Sequence, residues 1–297
     1  MRRFCRAVPV TYYQSMPRII SIVPVLVIAL LSVTHAKQIA PSLAAGTMHR
    51  ALDEILDLNV RDGLVYYRAL QSDRSKLDRY VASLDVPSAT YESWSKEARM
   101  AFWVNAYNAL VLQTVINRYP IRGKSDQYPP ASIRQIPGAF ETLKHRAAGR
   151  GVTLDEIEKT ILPEFNEPRL HLALGRGAIG SGRLRSEAYT AERLAAQLDD
   201  VQKEFASETN MVKIDRDAGR VAVTAIVSWN SDRFIKAYDP GAAGPLAERS
   251  PIERAIVAFI KPHLLPLEQE FVDQNKFSVS YLPFDWRLND LTGGAAR

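Results

Sequence analysis

Between His171 and Arg185 the chain reads HLALGRGAIGSGRLR, which sets one serine and three arginines among four glycines. Residues of these types can cradle a phosphate, present a nucleophile or complete a metal site, and their spacing tests each chemistry. Gly175, Gly177 and Gly180 satisfy G-x-G-x-x-G, the dinucleotide fingerprint. That fingerprint requires a helix to begin at the loop, so that its N-terminus faces the pyrophosphate. Here the next helical pattern opens only at Thr190. The acid expected about 20 residues further on is Asp199 or Asp200, inside that helix, so the context argues against a dinucleotide. Ser181 lies in IGSGR and not in G-x-S-x-G, with no strand leading directly into it. The sharp strand-to-helix turn that exposes a hydrolase serine is therefore not signalled. The five histidines contain no H-x-x-x-H pair; His171 with Glu158 or Asp285 offers suitable donors, but their spacing lends no support to a metal site. The sequence thus implies neither a metal nor a cofactor, and His49 and His145 read as surface residues.

The elements that must position these groups are legible from hydrophobic period and punctuation. SKEARMAFWVNAYNALVLQTVINRY, from Ser95 to Tyr119, reads as the longest helix, stopped by Pro120; its middle, Ala101 to Ile116, is apolar on nearly every side and is expected to be buried all round. Asn105, Asn108 and Gln113 interrupt that centre, with Tyr107 between the first two. Asn105 and Asn108 are three apart and share a face, and a buried amide costs free energy unless its hydrogen bonds are answered. They point at a polar feature inside the fold.

Before this helix, Met48, Leu52, Ile55 and Leu56 fall on one helical face after Thr47, and Leu77, Tyr80, Val81 and Leu84 do the same, with DGLVYY as the turn and extended piece between. After it, residues 120–150 form a Pro-, Gly- and Arg-rich connection with a possible strand near Phe140 to Leu143. Thr153 with Glu156 opens the helix TLDEIEKTIL as a capping box, and Pro163 ends it. RLHLALG reads as a strand, with Leu170, Leu172 and Leu174 facing one way and His171 and Ala173 the other. TAERLAAQLDDVQKEF is a helix burying Leu194, Leu198, Val201 and Phe205; VKIDRDAGRVAVT is a hairpin turning at Asp217 to Gly219. Ser250, Pro251 and Glu253 start a further helix, which Pro262 ends. KFSVSYLPFDWRLND alternates Phe277, Val279 and Tyr281 as a strand that delivers Asp285 and Asn289 at its end. The order, helices first and then mixed strands, predicts the α+β class: a helical N-terminal part packed on a small mixed or antiparallel sheet in a single domain.

The first 36 residues stand apart. Arg2, Arg3, Arg6 and Arg18, without a single acid, precede the apolar run IISIVPVLVIALLSV and then THA, the order of a secretory leader with small residues at Thr34 and Ala36. Met16 is an alternative start to Met1. The run is shorter than the roughly 20 residues of a spanning helix and contains Pro24, so cleavage near Ala36 is expected, with an N-terminal anchor as the alternative. The mature protein is then periplasmic or secreted, without a membrane span. The reading divides the chain into a leader (residues 1–36), an N-terminal segment (37–50), the domain (51–291) and a tail (292–297). Removing the leader takes away four arginines and the sole cysteine, Cys5, and lowers the formal charge from +5 to +1. No basic stripe is left to argue for nucleic acid, and no thiol is left for a disulfide or thiolate chemistry.

Taken together, DGLVYY, AFWVNAYNALVL, VTLDEIEKTIL, RLHLALGRGAIGSGRLRSEAYTAERLAAQLD, IVSWNSDRF and YLPFDWRLN resemble DUF547, a family of unknown function found in bacterial exported proteins and in plants. The resemblance covers roughly Ala51 to Leu291. It implies a polar cluster built from the helix amides, the histidine of the H-x-A-L block and the C-terminal D-W motif, here Asn105, Asn108, His171 and Asp285. The usual family block reads like H-F-A-L-V-C-G-x-x-S-C-P. Against it, Arg176 and Ser181 stand in place of two cysteines, Gly182 in place of proline, and Lys159 in place of a histidine after I-E. A cysteine with a nearby histidine would suggest thiol hydrolase chemistry, and every such thiol is gone from this chain. Two expectations follow. One is an exported binding or scaffold module with a degenerate site for a small polar ligand or peptide. The other is a hydrolase of amide or peptide bonds in the cell envelope, using Ser181, His171 and Asp285, with Asn105 or Asn108 as oxyanion donors.

Overall fold

The computed structural model describes residues 47–292, together with Pro9, and the described residues from 47 onward belong to one unit. The expected leader and its cleavage site lie outside the described residues. Helix α1 (Arg50–Asn59) buries Leu52, Ile55 and Leu56, as its period of 3.6 requires. It runs into a short hairpin, β1 (Val60–Arg61) and β2 (Leu64–Val65), which turns at Asp62 and Gly63, both at positive φ. Short helices α2 (Tyr67–Ser72), α3 (Ser75–Ser83) and α4 (Ser88–Glu92) follow.

Helix α5 (Lys96–Ile116) opens at Ser95, whose side chain accepts from the Ala98 N–H, and it is enclosed along its centre. The whole stretch from Ala101 to Leu112 is buried, so α5 is the axis on which the other elements pack. Next come the hairpin β3 (His145–Ala147) and β4 (Arg150–Val152), then α6 (Leu154–Glu156), capped by the Thr153 hydroxyl. Without a break α6 widens into a π-helical turn, Ile157–Ile161, and tightens into a 3-10 turn, Leu162–Phe165. Helix α7 (Arg169–Leu172) and the long loop containing the four glycines lead to α8 (Leu194–Ser207).

The C-terminal third holds a three-stranded mixed sheet. Strand β5 (Val212–Asp215) pairs antiparallel with β6 (Arg220–Thr224), and β6 pairs parallel with β7 (Ser278–Leu282), Val221 opposite Val279 and Val223 opposite Tyr281. Helices α9 (Ala225–Trp229), α10 (Ser231–Tyr238), α11 (Pro251–Ile260) and α12 (Pro266–Asp273) make the crossover between β6 and β7. The Ser250–Glu253 capping box forms at the head of α11. The molecule is of the α+β class, with a helical N-terminal part and small sheets.

Several local expectations change. RLHLALG is helix α7 instead of a strand. Leu170, His171, Leu172 and Ala173 are all buried, so the alternating letters never marked one inner and one outer face. Pro168 presets a helical φ, and the Glu167 and Pro168 carbonyls accept from Leu170 and His171. The strand expected near Phe140 is a turn: Thr142 and Leu143 both donate to the Gly138 carbonyl, and the strands form just after it, around the positive-φ pair Ala148 and Gly149. In DGLVYY the extended piece stops early, since Tyr67 already begins α2. Phe277, just before β7, and Val279 within it pack inward, but Tyr281 is exposed. His49 is buried against Tyr80, not on the surface, with Nδ1 and the phenol oxygen 2.8 Å apart, and His145 is half-buried.

Candidate functional site

Three side-chain amides fasten the glycine loop to the helices. The Asn108 amide donates to the Ala173 carbonyl at 3.2 Å while its oxygen accepts from the Gly175 N–H at 2.8 Å. Asn105 does the same to Tyr189, donating to its carbonyl at 2.8 Å and accepting from its N–H at 2.9 Å. Gln197 of α8 donates to the Ala188 carbonyl and accepts from the Thr190 N–H. Each amide offers one donor and one acceptor to a backbone segment, as a neighbouring strand would, which is how an irregular loop can be buried at all. With the oxygen and one N–H of Asn105 and of Asn108 engaged by backbone, these residues act as loop clamps.

The glycines serve close approach. Gly180 lies so near the C-terminal segment that a Cβ would stand 2.5 Å from the Asp285 nitrogen; the Ile179 and Gly180 N–H groups donate to the Arg287 and Asp285 carbonyls, each at 2.8 Å. A Cβ on Gly182 would run into the Leu172 carbonyl oxygen. The pattern that imitates a phosphate loop is thus a packing pattern.

Inside the loop is a buried ion pair. Glu158, carried inward on the π-helical turn, takes Arg176 Nη2 at 2.6 Å and Nε at 3.0 Å on one carboxylate oxygen. Its other oxygen accepts from the Tyr107 hydroxyl at 2.9 Å. Arg176, 1% exposed, also donates to the His171 and Leu174 carbonyls, and its guanidinium carbon lies 5.9 Å from the Trp229 ring centre. Trp229, half-exposed, packs in turn on Phe284 with ring centres 5.0 Å apart. Burial alone would raise the Glu158 carboxyl, but the Arg176 charge and hydrogen bonds outweigh it and hold Glu158 below the usual carboxylate range. Burial likewise opposes the charge on Arg176, and Glu158 outweighs it. Burial, reinforced by the Glu158 charge, pushes the Tyr107 phenol well up. Lys159, next in sequence, points out to Asp155 at 2.6 Å.

The three residues of a serine triad are near in the fold and unconnected. Ser181 Oγ accepts from the Arg176 N–H at 2.9 Å. His171, on α7, is buried with Nδ1 lacking any partner; burial first, then the Arg176 and Arg233 charges, lower it to about 4 despite the opposing pull of Glu158. Asp285 caps its own turn through the Arg287 N–H at 3.0 Å and takes the Arg287 guanidinium, Nε at 2.9 Å; those bonds lower its carboxyl. No hydrogen bond links Ser181, His171 and Asp285 among the described residues. Nor does the structure gather them with Asn105 and Asn108 about one cleft: Ser181 alone of the five lines a cavity of about 270 Å³, between the β1–β2 turn and residues 208–211. Gln197, Trp229 and the clamp role of Asn289, which bonds Tyr67 Oη and the Gly63 carbonyl, were not singled out by sequence reasoning. A buried polar position within the amphipathic pattern of α8 is the only signal that could have found Gln197.

Among the described residues no group of three or more His, Cys, Asp or Glu side chains could hold a metal ion, and no helix is long and apolar enough to cross a membrane. No curated protein and no solved structure matches the chain. Residues 91–206, which include α5, the Glu158 turn, the glycine loop and most of α8, match the family model described as "Protein of unknown function, DUF547". Over that stretch the chain is similar to the DUF547 family.

Proposed function

We propose that this protein is an exported binding or scaffold module, a DUF547 member whose reactive positions have been rewritten, and that its ligand is a small polar molecule or peptide. The observation that carries the reading is the state of the Ser181 hydroxyl. A serine nucleophile must surrender its proton to a base. This one accepts a hydrogen bond from the Arg176 N–H and has neither His171 nor Asp285 as a partner. Arg176, where the family resemblance puts a thiol, is tied to Glu158 and stays protonated, so it cannot serve as nucleophile or base. What is left beside Ser181 is a cavity with polar and apolar walls, which suits binding.

Export is supported by the basic start, the apolar run and the small residues at Thr34 and Ala36. Expression of the whole chain should yield a mature form beginning at Lys37 in the exported fraction, and an intact N-terminus retained in the cytosol would end that part of the reading. For the site, a fluorophosphonate probe should leave the mature protein unlabelled. Covalent labelling at Ser181, lost in Ser181→Ala, would instead establish the hydrolase reading through Ser181, His171 and Asp285.

A further inference from the structure

The cavity beside Ser181 has a chemical character that narrows its ligand. One wall is apolar, from Leu64 and Met211. The same lining holds two groups of opposite charge, Arg183 and Glu208. Arg183 bonds Asp62 at 2.9 Å and lies 4.0 Å from Glu204, so its guanidinium is held in place at the surface. The Glu208 carboxylate makes no hydrogen bond or ion pair among the described residues, and it stands exposed at the end of α8. In the same lining, the Asn210 amide makes only a long bond, 3.4 Å, to the Ile179 carbonyl. Ser181 Oγ accepts from Arg176 and keeps its own proton to donate. Asp62 and Arg183 also line a second trough of about 450 Å³.

Resting on the binding reading of this same site, we infer that the cavity takes a zwitterionic aliphatic ligand, a short peptide with a free amino terminus and a free carboxylate. Glu208 meets the ammonium, Arg183 meets the carboxylate, Asn210 meets a peptide group, and the apolar wall takes small side chains. A polyanion such as a nucleotide is disfavoured, because the Arg183 guanidinium already faces the Asp62 and Glu204 carboxylates and Glu208 adds a like charge. A simple fatty ligand leaves the Glu208 carboxylate without a partner. The second trough lets a chain longer than one residue fit.

The test is isothermal titration of the full chain with trialanine, with N-acetyl-trialanine, which lacks the cation, and with trialaninamide, which lacks the anion. Trialanine should bind, and each capped peptide should bind about tenfold more weakly. Glu208→Gln, an exposed change that leaves the fold intact, should weaken trialanine by a similar factor and leave N-acetyl-trialanine unaffected. No heat of binding with trialanine, or equal affinities for the three peptides, overturns the ligand class while leaving the binding-module reading in place. Mass spectrometry of the same solutions separates the two: released alanine ends the binding-module reading and leaves the ligand class standing.

Discussion

Arg176 and Glu158 meet across two hydrogen bonds, 2.6 and 3.0 Å, with the arginine almost wholly shut from water. Their pairing makes a buried charge network: Tyr107 satisfies the second carboxylate oxygen, and the His171 and Leu174 carbonyls take two further guanidinium protons. A pair of this kind is costly to break from one side, because the survivor is a buried, unpaired charge.

Arg176→Met should therefore destabilise the protein by about 3–5 kcal/mol, read as a drop in the urea midpoint. Adding Glu158→Gln should recover a large part, because both charges are then gone. If the single variant costs less than about 1 kcal/mol, the network is not what holds the loop.

Acid should unfold the protein through two histidines. Burial lowers His49 and His171 from 6.5 to about 4, so the unfolded chain takes up their protons first. Their contribution is fully present above about pH 6.5 and is lost as pH falls from there to about 4. The slope is about 1.4 kcal/mol per pH unit for each histidine. Denaturation profiles across that window should flatten in His171→Gln and again in the double variant with His49→Gln. An unchanged slope in both would contradict the burial of these rings.

Asn108→Ala removes both partners of the 173–175 segment and should cost about 1–3 kcal/mol. Its signature is local: hydrogen exchange at the Gly175 amide should rise far more than exchange in the core of α5. Uniform protection across the variant would mean that the amide does not clamp the loop.

Glycine replacements should rank by close approach. Gly182→Ala, whose methyl meets the Leu172 carbonyl, and Gly180→Ala, whose methyl meets the Asp285 backbone, should each lose more than about 2 kcal/mol. Gly151→Ala, with nothing nearer than 3.8 Å, should change stability by less than about 0.5 kcal/mol. Equal costs at the three positions would break the packing account of the glycine pattern.

How much of this could be read in advance depended on whether the signal was local. The all-round apolar run from Ala101 to Ile116 can only be a buried helix, and two asparagines within it can only be paired, so α5 and its amides followed from the sequence. The caps at Ser95, Thr153 and Ser250 and the hairpin at Asp217 to Gly219 are likewise local chemistry, settled within a few residues. RLHLALG misled because its alternation presumed a solvent face, and the core surrounds it on every side. The sequence alone determined the α+β class, the central helix and the absence of a thiol from the chain beyond Cys5. Only the tertiary structure decided that Arg176 turns inward to Glu158, that Asp285 turns to Arg287, and that Ser181 takes a hydrogen bond from the Arg176 N–H. These partners stand only 2, 5 and 18 residues apart, but other candidates lie at similar spacing, and the field and space a side chain meets in the packed fold decide which it takes.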